Sequence, residues 1–97
     1  MKSRFVQVHC NVECVQRGII EPKYRVYVNN ELFTERTWIF TEKEYLEEML
    51  QIDAPPGKYT IKFELVNPRA AHIIVSKFRV GKGHAKVNQD GILEILL

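Results

Sequence analysis

Apolar and polar residues alternate along most of this chain, and the pattern is cleanest in Leu50–Val66, LQIDAPPGKYTIKFELV. Tyr59, Ile61, Phe63 and Leu65 fall on one side of an extended chain, and Thr60, Lys62 and Glu64 on the other. That is the two-residue period of a strand with one buried face. Pro56 presets φ for the second position of a tight turn, and Gly57 can supply the positive φ that a type II turn needs next. The segment predicts a β-hairpin.

The same alternation predicts a first strand over Arg4–Val15, with Val6, Val8, Cys10, Val12 and Cys14 inward and Gln7, His9, Asn11 and Glu13 in water. Gln16 to Lys23, interrupted by Gly18 and Pro22, reads as a connection. Tyr24–Val28 and Glu31–Phe40 follow as strands around Asn29-Asn30, a candidate two-residue turn because Asn tolerates positive φ better than other side-chain-bearing residues. Thr41 to Met49 fits two patterns. Thr41 with Glu44 matches a capping box, with acids near the positive end of a helix, whereas Leu46, Leu50 and Ile52 share a strand face that Glu48 interrupts. The expectation is a short helical turn near 42–46 running into a strand from about Glu47 to Ala54. Asn67-Pro68-Arg69 is a turn, Ala71–Val80 a strand and Gly81-Lys82-Gly83 a loop. Ala85–Asn88 and Ile92–Leu96 form a closing hairpin about Asp90-Gly91. About seven or eight short strands with regular turn signals predict a single all-β domain, an antiparallel β-sandwich of immunoglobulin-like or jelly-roll-like type.

The composition, 45% hydrophobic and 27% charged in 97 residues, is that of an ordinary globular domain able to build a core without a metal or disulfide. No apolar run approaches the roughly 20 residues of a membrane span. MKSRFVQVHC lacks the continuous apolar stretch of a signal peptide, so the expected setting is the cytoplasm. Cys10 and Cys14, four residues apart on one strand face, would stand about 13 Å from each other at a ~3.3 Å rise. A disulfide needs Cα atoms within roughly 7 Å, so both are expected as reduced, buried thiols.

A net charge of +2 gives no footing for nucleic acid, but its distribution is polarised. Residues 41–53 hold five acids against one base, among them Glu42, Glu44 and Glu47, while residues 77–86 hold Lys77, Arg79, Lys82 and Lys86 with no acid. Two such segments can pair within one chain or between copies. In the second case self-association would weaken as salt screens it.

Catalytic chemistry finds little support. His9, His72 and His84 lie at no metal-ligand spacing, and His9 and Cys10 face opposite sides of a strand. Neither Ser3 nor Ser76 sits in a nucleophile elbow. The acids of 42–53 cluster on one exposed segment rather than across a cleft. Gly81-Lys82-Gly83 lacks the remainder of a phosphate loop, though with Lys77, Arg79, His84 and Lys86 it offers a basic surface. No cofactor is implied. Among the aromatics, Trp38 and Phe40 share a face with Leu32 and read as core, leaving Tyr27 and Phe33 as the candidates for an exposed contact surface.

YRVYVNNELFTERTW (Tyr24–Trp38), YLEEMLQIDAPPGKYTIKFELVNP (Tyr45–Pro68) and SKFRVGKG (Ser76–Gly83) resemble a group of small proteins encoded by T4-like marine cyanophages. The resemblance implies a phage accessory or minor virion protein, acting in the infected host's cytoplasm or in the particle, without an established activity. The layout ELFTERTW…LEE…PPGKYTI also resembles β-sandwich modules appended to carbohydrate-active enzymes, which bind glycan on exposed aromatics. The leading expectation is a non-catalytic module contacting protein, whether itself, a virion component or a host factor. Glycan recognition is the alternative.

Overall fold

The computed structural model describes residues 3–16, 22–38, 45–66 and 71–96. These form β1 (Arg4–Gln16), β2 (Lys23–Val28), β3 (Glu31–Thr37), β4 (Leu46–Ala54), β5 (Gly57–Leu65), β6 (Ala71–Lys82), β7 (Ala85–Val87) and β8 (Ile92–Ile95). They assemble into a three-stranded sheet, β4-β1-β6, and a five-stranded sheet, β3-β2-β5-β8-β7. All pairings are antiparallel. The expected all-β sandwich is what forms.

The inward faces of both sheets meet as the alternation requires. Val6, Val8, Cys10 and Val12 of β1 are fully buried, as are Leu50 of β4, Val26 of β2 and Leu93 of β8. Ile52, Ile61, Ile95, Tyr24, Trp38 and Phe78 complete the core. Burying each of these large side chains is worth about 1.5–3 kcal/mol over leaving it exposed. Phe63 joins Tyr24 to Phe78, with ring centroids 5.7 and 6.4 Å away.

Three local expectations are corrected. First, the segment around Pro55-Pro56-Gly57 is not a hairpin: β4 belongs to the three-stranded sheet and β5 to the five-stranded one. The chain turns a corner from one layer to the other, with Gly57 at φ +150°. Second, Gly81 and Lys82 are the last residues of β6 rather than a loop; only Gly83 and His84 turn toward β7. Third, Leu32 does not share the buried face of Trp38, being 58% exposed against 2%. The reason is a β-bulge: Val26 pairs with Thr34 but Tyr27 pairs with Leu32, so Phe33 is an extra residue and the facing of β3 slips there.

The Asn29-Asn30 and Asp90-Gly91 turns form as expected. Asn29 and Asn30 both take positive φ, 51° and 68°, and join β2 to β3. Gly91, at φ +83°, closes the β7–β8 hairpin. The helical turn near 42–46 falls mostly outside the described residues; at its described end Leu46 is already strand. Phe40, the turn at 67–69 and most of 16–23 also lie outside them.

Candidate functional site

The sequence-predicted residues do not converge on one place. Glu42 and Glu44 lie outside the described residues. Tyr27 is half-buried on the outer face of the five-stranded sheet, in a shallow groove of about 230 Å³ with Asn30, Lys62 and Glu64. Lys86 pairs with Glu94 of β8 at 3.4 Å. His84 is exposed at the β6–β7 turn, where its carbonyl accepts a hydrogen bond from Leu96. Lys82 is exposed at the end of β6, opposite Gln7.

Glu47 and Arg79 do meet, across β1. Glu47 Oε1 lies 3.2 Å from Arg79 Nη2 and 3.0 Å from His9 Nδ1. Arg79 Nη1 also donates to the Lys77 carbonyl at 2.8 Å and to Asn11 Oδ1 at 3.3 Å. Under this cover Asn11 is only 8% exposed, although its strand position faces away from the core. The acidic and basic segments thus pair inside one chain. Two bulges in β6 make the geometry: pairing steps from Asn11–Ser76 to His9–Arg79 and from Val8–Val80 to Gln7–Lys82, each inserting one residue into β6. Lys77 at the first takes φ +56°, and Gly81 at the second leaves room for the His9 imidazole. A side chain from the β7–β8 turn secures the first bulge, with Gln89 donating to the Phe78 carbonyl and accepting from its N–H.

A second polar group is buried between the layers. Glu48 points inward from β4 at 4% exposure. Its carboxylate accepts from the Tyr24 hydroxyl at 2.7 Å and lies 3.1 Å from Arg36 Nη2. Burial, then the bond to Glu48, drives the Tyr24 hydroxyl's pKa far above the usual range. Burial, aided by Glu48 and opposed by Arg79, pushes the Cys10 thiol up to about 12. Cys14, half-buried, is also shifted up by burial. Both cysteines are free, and at neutral pH both are thiols rather than thiolate nucleophiles. Among the described residues no three His, Cys, Asp or Glu side chains are grouped to hold a metal ion, and no helix is long and apolar enough to cross a membrane.

Phe33 leads to the third feature. With Leu32 and Val28 it lines one wall of a cleft of about 310 Å³ whose other wall is Ile52, Ala54 and Tyr59. Glu31, Asp53 and Asn29 stand at its rim. The cleft opens where β3, at one edge of the five-stranded sheet, faces β4, at one edge of the three-stranded sheet. Phe33 is 41% exposed and Leu32 58%, so apolar surface is left in water there. Phe33 was legible as an exposed aromatic, but Leu32 was not, because the bulge that turns it outward carries no marker such as Gly. The β4 wall was hidden for a different reason: a hairpin would have set β4 beside β5 rather than against β3.

The chain matches no family model, and comparison with curated proteins and with solved structures finds no match.

Proposed function

We propose that this protein is a non-catalytic interaction module that binds another protein at the cleft between β3 and β4. One observation carries the reading: Leu32 and Phe33 leave an apolar, concave surface in water where two sheet edges face each other. Exposed apolar surface rimmed by polar groups is typical of contact sites. The other distinctive groups are already occupied within the fold. Glu47, Arg79 and His9 satisfy one another, Glu48 is matched by Tyr24 and Arg36, and the cysteines are held as thiols. The resemblance to cyanophage proteins directs the search for the partner to infected host cytoplasm and to virions.

The test places a photo-crosslinking phenylalanine at position 33 or, as control, at position 27. Irradiation in infected lysate and with purified particles should give one discrete adduct from position 33. That adduct should disappear with Leu32→Asp and be absent from position 27. Equal labelling from both positions, or none from 33, overturns the proposal.

A further inference from the structure

Four strands end a sheet among the described residues: β3, β4, β6 and β7. An open edge presents unpaired N–H and C=O groups to any other chain, and folds blunt such edges with bulges, Lys, Pro or brevity. Three of the four are blunted here. β3 carries the Phe33 bulge, and β6 carries two bulges with Lys77 and Lys82 beside them. β7 is three residues long. β4 differs. Its nine residues pair with β1 in unbroken register from Arg4–Ala54 to Val12–Leu46. It contains no Pro, Gly, Lys or Arg.

We infer that the free edge of β4 takes up an extended partner segment in which Lys or Arg alternates with apolar residues. The inference deepens the proposed function and rests on it. Strand addition uses main-chain hydrogen bonds for affinity and alternate side chains for specificity. A strand laid along β4 turns every second side chain inward, over the cleft and onto Phe33, Ile52 and Ala54. Its remaining side chains lie beside the outward row of β4, Glu47, Met49, Gln51 and Asp53, all exposed. Within that row Glu47 is engaged by Arg79 and His9, but Asp53 is a carboxylate, Glu31 adds another at the rim, and neither Glu31 nor Asp53 has an ion-pair partner among the described residues. Charge complementarity therefore selects a basic outward row.

Inward-pointing Glu48 does not guard this edge as an unpaired charge would. It is already buried and matched by Tyr24 and Arg36, so an added strand desolvates it little further. A second copy is the less suitable occupant. The antiparallel register that overlaps all of β4 with itself brings two strands together that hold no Lys or Arg, so neither copy offers a base to Asp53 of the other.

The experiment titrates the full chain with a capped peptide of the same nine-residue length alternating Lys and Val. Controls are its Glu-for-Lys counterpart and a version with Pro at the middle of the strand. The Lys-Val peptide should bind saturably, more weakly as salt rises, and should slow amide exchange along β4. The exposed double change Met49→Lys and Gln51→Lys should weaken it by roughly tenfold or more, while circular dichroism confirms that the variant folds. Equal binding of the Pro peptide, without protection of β4 amides, overturns strand addition but leaves cleft binding standing. Preference for the Glu peptide overturns the basic partner. Salt-sensitive dimerisation lost on Met49→Lys identifies a second copy as the occupant and also overturns it. No binding of any peptide, together with no adduct from position 33, overturns both readings.

Discussion

Tyr24 of the five-stranded sheet donates its hydroxyl to Glu48 of the three-stranded sheet, 2.7 Å from Oε2, with both residues buried. This is a polar tie between the layers of an otherwise apolar core. A buried acceptor that loses its donor keeps the full cost of leaving water, about 1–3 kcal/mol. Tyr24→Phe should therefore lower stability by about that amount, although it deletes a single oxygen. In a double-mutant cycle with Glu48→Gln the two effects should be non-additive by about 0.5 kcal/mol or more. Urea denaturation of the four proteins checks it, and strict additivity would deny the tie.

Cys10 supplies an alkaline limit to stability. Its thiol has an ordinary value of 9.0 and is raised to about 12 in the fold. Between those values the unfolded chain has released the proton and the folded chain has kept it. The unfolded state then binds fewer protons, so stability falls as pH rises. The contribution is intact below pH 9 and is lost progressively toward pH 12. Cys10→Ala should flatten that fall while lowering stability at neutral pH through the cavity it leaves. At neutral pH iodoacetamide should label half-buried Cys14 well before Cys10, and the reverse order would contradict the packing.

Gly83 and Gly81 make a contrast in what surrounds a missing Cβ. At Gly83 a Cβ would stand 2.6 Å from the Phe5 carbonyl oxygen, and φ is +102°. Neither the carbonyl nor the dihedral can yield without moving β1, so Gly83→Ala should cost about 1–3 kcal/mol or more. At Gly81 the obstacle is the His9 imidazole, the end of a side chain that can rotate. Gly81→Ala should cost less, and His9→Ala should restore most of the loss. Thermal melts of the three variants decide it. A Gly81→Ala loss that His9→Ala does not relieve would place the obstruction in the backbone.

Legibility in the sequence follows what alternation encodes. A period of two states which side chains share a face, and the inward sets of β1, β4 and β5 came out as read, down to Glu48 as the odd member of its row. It does not state which strand lies alongside. Leu46–Ala54 and Gly57–Leu65 have the same pattern whether they pair edge to edge or face each other across a core, so the corner at Pro55-Pro56 looked like a hairpin. Bulges break the count of two without a composition signal. Phe33 and Lys77 are ordinary strand residues, yet their insertion exposes Leu32 and brings Arg79 over Asn11. The cleft depends on both omissions and was visible only through Phe33.

The Glu47–Arg79 pair answers the question raised by the polarised charges. Both side chains are about half exposed, at 52% and 43%, so water screens their attraction and the pair should be worth about 0–1 kcal/mol. Arg79→Ala should accordingly shift stability by no more than about that much, and by less at high salt. Its sharper effect should be on Asn11, which loses its cover and should gain amide-exchange and solvent signatures of exposure by nuclear magnetic resonance. Because these charges are spent within the chain, they are not available to join copies. Sedimentation of the unmodified protein should thus give the same mass at low and high salt. A salt-sensitive oligomer abolished by Arg79→Ala would show instead that the pair exchanges between molecules.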